Sequence, residues 1–250
     1  MTRQGNPPQE LADLLPSFDV RGMDLSLDRM VMALEQLNQP AGSIPAVQVV
    51  GTNGKGSIAC LIHHGLMAAG LRSGLTTSPH LVSWCERIRV NDQLISLAEL
   101  RLTLERLQPV VERCRLTPFE QVICSALLHF ETQQPDWLVL EAGLGGRLDA
   151  TTAHGRRPLI AVASIGMDHR EHLGNSLAAI AAEKAAAIGE GAHVISASQE
   201  LEVSAVLEQR VKEVRGTLQW VNALDERWSL GLPGAWQRRN GAVAEAALQW

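Results

Sequence analysis

Largely apolar runs alternate with helical spacings from about residue 45 onward, and this pattern predicts the secondary structure. Short apolar runs predict buried strands at 47–50, 71–76, 137–141, 159–165 and 193–196. Apolar residues three and four positions apart predict helices at 58–69, 97–111, 119–130, 176–188 and 200–214. The helix at 119–130 opens behind Thr117 as a possible N-cap, with Pro118 at its first position. Strands alternating with helices are typical of βαβ units, so we expect an α/β fold whose mostly parallel sheet is flanked by helices.

Composition excludes several classes of protein. With 46% hydrophobic and 20% charged residues in 250, the chain has the make-up of a folded globular protein. Its net charge of -5 and the lack of a basic run argue against a nucleic-acid partner. No apolar stretch approaches the ~20 residues of a membrane span. Four cysteines without a C-x-x-C pair fit neither a disulfide framework nor a zinc site, and they indicate a reducing cytosol.

A glycine-rich loop joins the first predicted strand to the helix after it, and it reads Gly51-Thr52-Asn53-Gly54-Lys55-Gly56-Ser57. Such a loop directs backbone N–H groups and the positive end of a helix dipole at one point. Lys55 adds a full charge there, and Ser57 adds a hydroxyl suited to Mg²⁺. The segment predicts a nucleoside triphosphate site, although its spacing is tighter than the common form, since Val49 stands where that form has its first glycine. The alternative is a glycine-rich turn with a surface lysine.

Oxygen ligands for Mg²⁺ follow three other predicted strands. Glu141 ends the strand at 137–141, Ser78 follows the strand at 71–76, and Asp168 and His169 follow the strand at 159–165. Ligands of open α/β sheets bind at the carboxyl ends of the strands. Mg²⁺ prefers oxygen, so Ser78 and Glu141 are the better candidates and His169 is a less typical addition.

Other candidates have plainer explanations from the residues alone. His169 and His172 could share a helix face and bind zinc, but no third ligand stands at a recognisable spacing. His63 and His64 are adjacent on a helix, which favours a partly exposed helix face. Lys184 lies in an alanine-rich helix, where propensity alone predicts a solvated lysine.

The ordered set of motifs is more specific than any one of them. It comprises G-T-N-G-K-G-S at 51–57, T-S-P-H-L at 77–81, E-R-I at 86–88, F-E at 119–120, E-A-G-L-G-G-R-L-D-A-T at 141–151, S-I-G-M-D-H at 164–169 and E-K-A at 183–185. This set resembles the folylpolyglutamate synthase and dihydrofolate synthase family of Mur-type, ATP-dependent amide ligases. The resemblance implies a lead-in at 1–20, a P-loop ATPase domain like the Mur ligase central domain at 21–250, and no C-terminal glutamate-ligase domain in this chain.

The resemblance also implies a reaction. ATP would phosphorylate the carboxylate of dihydropteroate or of a folate such as tetrahydrofolate, and the amine of L-glutamate would attack the acyl phosphate. The expected cofactors are ATP and one or two Mg²⁺ ions, in a cytoplasmic monomer. The alternative is a truncated, catalytically inactive ATP-binding module derived from the same family.

The roles of individual residues follow from the resemblance as well. Nucleotide binding is implied for Thr52, Asn53, Gly54, Lys55, Gly56, Ser57, Gln237 and Asn240. Metal binding is implied for Ser57, Ser78, Glu141, His169 and Lys184. A direct part in catalysis is implied for Lys55, His169 and Lys184, and Lys184 matches the lysine that becomes carbamylated in this group.

The chain departs from the family pattern at several positions. Thr152 stands where the family usually has Asn, Ile123 where it has Thr, and Trp236 where it has His. Ala186 and Ala187 replace a Gly-Ile pair. None of these changes removes a phosphate-binding or metal-binding group, and a further helix is expected after Asn240.

Overall fold

The structure, a computed structural model, describes residues 11–15 and 26–250, so most of the predicted lead-in lies outside it. Within the described residues eight strands form one sheet, in the order β4-β3-β2-β5-β1-β6-β7-β8. The strands are β1 (Ala46–Val50), β2 (Ser73–Thr76), β3 (Ile88–Val90), β4 (Gln93–Leu94), β5 (Trp137–Glu141), β6 (Leu159–Val162), β7 (His193–Ala197) and β8 (Thr217–Val221). In this order all neighbouring strands from β2 to β8 pair in parallel, whereas β3 pairs antiparallel with both β2 and β4 at one edge. The predicted α/β class is confirmed.

Eight helices in the described residues cover both faces of the sheet. They are α1 (Leu27–Gln36), α2 (Lys55–Ala68), α3 (Leu97–Cys114), α4 (Pro118–Gln133), α5 (Arg170–Leu173), α6 (Leu177–Ala185), α7 (Leu201–Glu213) and α8 (Ala235–Gln249). The predicted start of α4 is confirmed, because the Thr117 side chain accepts from the backbone of Glu120 and Pro118 is the first helical residue. Among these helices we find none with the length and apolar character that crossing a membrane requires.

Strand β1 lies in the interior of the sheet, and its mostly apolar sequence fits this position. It lies between β5 and β6, and all five of its residues are buried. Val47 and Val49 pack in the apolar layer beneath α2 and α8. Ala46 and Val50 point to the opposite face, beneath α1, α3 and α4 at one end and α6 and α7 at the other. A parallel strand that is covered on both faces needs a continuous run of apolar residues, and Gln48 is the one polar residue in this strand.

The structure departs from the predicted elements where the apolar signal is weak. Strand β8 was not predicted, because it is an edge strand whose residues are exposed or half-buried. Helix α8 begins at Ala235 and not after Asn240 as expected, so Gln237 and Asn240 lie inside it. Leu11 and Leu15, within the predicted lead-in, are fully buried against the layer under α1 and α3.

Candidate functional site

The carboxyl ends of β1, β2, β5 and β6 bring the predicted site residues to one edge of the sheet. The loop at 51–54 leaves β1 and enters α2 at Lys55. Its Thr52 and Asn53 amides both donate to the carbonyl of Ser164, which follows β6. Because these two N–H groups are already bonded, any contact of Thr52 or Asn53 with a nucleotide would come from their other atoms.

The first turn of α2 presents open donors. Gly54 is its N-cap with φ +95°, a conformation that favours glycine. The first bond inside the helix runs from the Ile58 amide to the Gly54 carbonyl, which leaves the amides of Lys55, Gly56 and Ser57 without a partner in the helix. The Lys55 ammonium donates to the carbonyl of Thr52 at 3.2 Å, at the mouth of the same turn. These groups together form a cradle suited to an anion.

Helix α8 closes one side of this cradle. Gln237 donates its amide to the Ser57 hydroxyl at 3.2 Å, and Asn240 donates to Gln237 at 3.3 Å. A Cβ on Gly54 would lie 2.5 Å from Oδ1 of Asn240, so a larger residue at 54 cannot fit without displacing that side chain. Two predicted residues of the glycine-rich loop and two of α8 are therefore in contact.

A shallow cleft opens beside the cradle, between the start of α8 and the ends of β6 and β7. Trp236, which replaces the family's histidine, is 64% exposed at its rim, and the Arg239 guanidinium lies 5.1 Å from its ring centre. The other lining residues are Ile58, Val162, Ala163, Ser164, Ala197, Ser198, Gln199, Asn240 and Val243. The walls of the cleft mix polar and apolar groups.

Glu141 lies on the other side of the first turn of α2. A Cβ on Gly56 would be 3.5 Å from its Oε1, and the Ser78 amide donates to its Oε2 at 3.0 Å. Burial raises the pKa of Glu141 to about 7, against the Ser78 bond and the charge of Lys55, which lower it. A buried carboxylate whose ionisation is held back in this way fits a cation, and the predicted pair Ser78 and Glu141 is brought together through the Ser78 backbone.

Lys184 reaches the cradle from α6. It is 2% exposed, and its Nζ donates to the carbonyl of Gly51 at 2.8 Å. Burial lowers its pKa to about 8, and the charge of Lys55 lowers it further, while Asp168 and Asp149 raise it. The prediction of a solvated lysine, made from helix propensity alone, is wrong because the small residues of α6 let the helix lie directly on the loop.

A glycine turn at 143–147 connects Glu141 to α6. Asp149 is buried and accepts from the amides of Gly143 and Leu144 at 2.8 and 2.9 Å, which closes the turn. Burial raises the pKa of Asp149, against its hydrogen bonds with Thr151 and these amides. The motif containing Asp149 was recognised from the sequence, but nothing in the residue spacing indicated that its carboxylate binds the turn itself.

His169 is the predicted site residue that the structure does not join to the others. Its backbone has φ +41°, and its ring faces Asp168 and Glu171 at 3.5 and 3.8 Å. In residues 11–15 and 26–250, no hydrogen bond or ion pair links His169 to Glu141, Ser78 or Lys184. The same residues contain no group of three or more His, Cys, Asp or Glu side chains that could hold a metal, so the zinc alternative gains no support.

Two features of the site region were missed. Arg87, from the E-R-I motif, is buried, lies 4.8 Å from the ring centre of Trp84 and donates to His80 at 2.8 Å. Burial lowers its pKa to about 10. His63 is also fully buried, between Ser73 Oγ at 2.7 Å and the Asn91 carbonyl at 3.0 Å, so the prediction of a partly exposed helix face holds for His64 and is wrong for His63.

The residues that depart from the family pattern make hydrogen bonds or pack with their immediate surroundings. The Thr152 hydroxyl donates to the carbonyl of Gly146 at 2.6 Å inside the glycine turn. Ile123 is buried in the core beneath α4. Ala186 is half-buried just beyond the end of α6, and Ala187 is buried.

Comparison with known proteins identifies relatives over most of the chain. No protein-family model matches it. It is 36% identical over 203 residues to dihydrofolate synthetase of Saccharomyces cerevisiae, covering 78% of this chain and 47% of the yeast protein. It is 32% identical over 260 residues to dihydrofolate synthase/folylpolyglutamate synthase of Bacillus subtilis, covering 92% of this chain and 60% of that protein. The chain thus spans about half the length of these curated relatives.

Solved structures agree with these relatives. Mycobacterium tuberculosis folylpolyglutamate synthase complexed with ADP and AMPPCP superimposes with a TM-score of 0.86 at 28% identity, over 96% of this chain and 62% of that one. A folylpolyglutamate synthase complex with AMPPCP and folate gives a TM-score of 0.84 at 27% identity, over 98% and 67% of the two chains. The resemblance first carried by the motifs is confirmed by identity and by fold. The chain belongs to the dihydrofolate synthase and folylpolyglutamate synthase family.

Proposed function

We propose that this chain binds ATP with Mg²⁺ at the first turn of α2 and carries out the phosphoryl-transfer part of a ligase that joins L-glutamate to dihydropteroate or a folate. The observation that carries the proposal is that Lys55 of α2, Glu141 of β5 and Lys184 of α6 meet at the loop 51–54 and the first turn of α2 that follows it. Phosphoryl transfer depends mainly on positioning and charge neutralisation, which such groups supply.

The residues divide the work by their chemistry. Lys55 and the amides of the first turn would hold the terminal phosphates, and the cleft at Trp236 would take the adenine. Glu141 and the hydroxyls of Ser57 and Ser78 would hold Mg²⁺, and His169 would be a ligand of a second ion. When bound, Mg²⁺ would neutralise phosphate charge; Mg²⁺ commonly takes few protein ligands besides phosphate oxygens.

Lys184 supports a finer proposal, that its amine becomes carbamylated. A pKa of about 8 leaves part of the amine neutral near pH 7. Its lone pair would attack the carbon of CO₂, so that an N–C bond would form and the electrons of one C=O π bond would move to oxygen. The nitrogen would then release one proton to water. The product carries two oxygens and a negative charge next to Lys55. A ¹³C NMR carbamate signal with labelled bicarbonate, absent in Lys184→Met, tests this step.

The ligase activity is tested by ADP release from the full chain. We expect release to depend on dihydropteroate or a folate and on L-glutamate, and to be lost in Lys55→Ala. Hydroxylamine in place of glutamate should trap the acyl phosphate as a hydroxamate. Nucleotide binding without substrate-dependent ADP release would overturn the ligase proposal in favour of an inactive ATP-binding module.

We further propose a cytosolic monomer. The support for the compartment is that Cys60, Cys85, Cys114 and Cys124 are free thiols. The molar mass of the chain, measured by light scattering during size-exclusion chromatography, tests whether it is a monomer.

A further inference from the structure

Gln48 is a buried amide in the middle of the central strand. It is fully buried among valines, with β5 on one side of β1 and β6 on the other. A buried amide is costly unless its hydrogen bonds are made, so its partners carry information about why it is there. We propose that Gln48 is a positioning residue that holds the glycine turn at 143–147 and the end of α6 so that Lys184 stays at the loop; the inference rests on the function proposed for Lys184.

Every polar atom of the Gln48 side chain is used. Its Nε2 donates to the hydroxyls of Thr151 and Thr152, both at 2.8 Å, and its Oε1 accepts from Nη1 of Arg157. A guanidinium only donates, so Arg157 fixes the orientation of the amide. Each of the two hydroxyls also donates a hydrogen bond. Thr151 donates to the Asp149 carboxylate at 2.5 Å, and Thr152 donates to the Gly146 carbonyl at 2.6 Å.

One arm of this network ends on the backbone of α6 through the glycine turn. Thr152 holds Gly146, where a Cβ would lie 2.7 Å from the Lys184 carbonyl. The next amide, of Arg147, donates to the Glu183 carbonyl at 2.9 Å. The glycine turn is therefore in direct contact with the backbone of Glu183 and Lys184.

The other arm reaches the far side of the lysine. Nη1 of Arg157 also donates to the Ala187 carbonyl at 2.7 Å, and the Ala187 amide donates to the Lys184 carbonyl at 3.2 Å. Lys184 in turn bonds Gly51, which follows β1 directly. The hydrogen bonds thus form a ring that leaves β1 at Gln48, passes both sides of Lys184 and returns at Gly51.

The test compares Gln48→Leu with Gln121→Leu. Gln121 is an equally buried amide, in α4, that donates to the Leu116 carbonyl and has no bond to the ring. In the full chain, at a temperature where both variants are folded by circular dichroism, the readouts are amide hydrogen exchange and the rate of Lys184 acetylation at pH 9 by mass spectrometry. For Gln48→Leu we expect exchange at Arg147 and Ala187 and labelling of Lys184 to rise roughly tenfold, the factor given by losing one ordinary hydrogen bond.

Gln121→Leu should leave the exchange at Arg147 and Ala187 and the labelling of Lys184 unchanged. If Gln48→Leu does not fold, Thr152→Val removes one hydroxyl of the ring and should raise the same two rates, while Thr152→Ser keeps it and should not. Unchanged rates in Gln48→Leu, or in Thr152→Val, would overturn the proposal, and so would equal increases across all peptides. Neither readout needs ATP or glutamate, so an inactive chain with the predicted rates overturns only the proposed function.

Discussion

The candidate site has two sides that differ in their exposure to solvent: a cradle of open backbone donors and a layer of buried ionisable side chains behind it. The cradle formed by the loop, the first turn of α2 and Gln237 with Asn240 exposes backbone donors that a ligand can satisfy. The layer behind it buries Glu141, Asp149 and Lys184, all under 5% exposed. Burial raises the pKa of the two carboxyls and lowers the pKa of the lysine, so it favours the neutral form of each group. The cradle is ready for an anion in the free protein, whereas the buried layer holds charges that a cation or modification would stabilise.

The largest expected effect is in the buried layer. Between pH 8 and 10.5 the unfolded chain keeps a proton on Lys184 that the folded chain does not, so the free energy of unfolding rises with pH. Relative to Lys184→Met, the wild type should gain roughly 2–3 kcal/mol between pH 7.5 and 10. Urea unfolding in bicarbonate-free buffers measures this difference. Parallel pH profiles for the two proteins would show that Lys184 is not buried as described.

The cradle is broken most directly at Gly54. Gly54→Ala combines the strain of φ +95° with a Cβ 2.5 Å from Asn240, so AMPPCP affinity should fall roughly 10–100-fold. Gly70→Ala is the matched control, since Gly70 has φ +82°, lies after α2 and has open space around it. It should cost stability alone. Equal affinity losses in both variants would refute the close packing of Gly54 on α8.

A pH dependence of Mg²⁺ binding tests Glu141. Its raised pKa means that the carboxyl is protonated below about pH 7, so Mg²⁺ affinity with AMPPCP should fall about tenfold per pH unit below that point and level off above it. By linkage, the same group stabilises the fold at low pH, and that stability is lost between its ordinary pKa of 4.5 and 7. Glu141→Gln should bind Mg²⁺ weakly at every pH. Calorimetry on both proteins distinguishes the carboxyl from the phosphates, which titrate equally in each.

The smallest effect is expected where the cradle uses a neutral hydrogen bond. Gln237→Ala loses the 3.2 Å bond to Ser57 and should weaken AMPPCP binding about 2–10-fold. Gln249→Ala is the control, because Gln249 lies on the same helix and bonds only Glu245 in the described structure. A larger loss in the control would show that α8 acts through its stability.

The same comparison explains what the sequence could predict. The cradle is local, since a strand, a glycine loop and a helix follow each other, and β1, β5 and α4 were found within a few residues of their bounds. Helix α1 was not predicted although its Met30, Ala33 and Leu34 have helical spacing, because it lies before the alternation of strands and helices that starts at about residue 45.

The buried layer depends on contacts between distant residues. Lys184 and Gly51 are 133 positions apart, and Gln48 and Thr151 are 103 apart. Helix propensity describes only the neighbours along the chain, so it assigned Lys184 to the solvent. The prediction of a partly exposed helix face for His63 likewise rested only on its neighbour His64. The family resemblance supplied the role of Lys184, but it could not supply the Gln48 ring, because neither Gln48 nor Arg157 belongs to a recognised motif.

The most direct measurement is calorimetric titration of AMPPCP with Mg²⁺ into the full chain and into Lys55→Ala. The structure predicts one saturable site in the wild type and a roughly 10–100-fold weaker site in the variant, the loss expected for a charged hydrogen-bond donor to phosphate. Equal affinity in the two proteins, or no binding to the wild type, would contradict a nucleotide site at the first turn of α2.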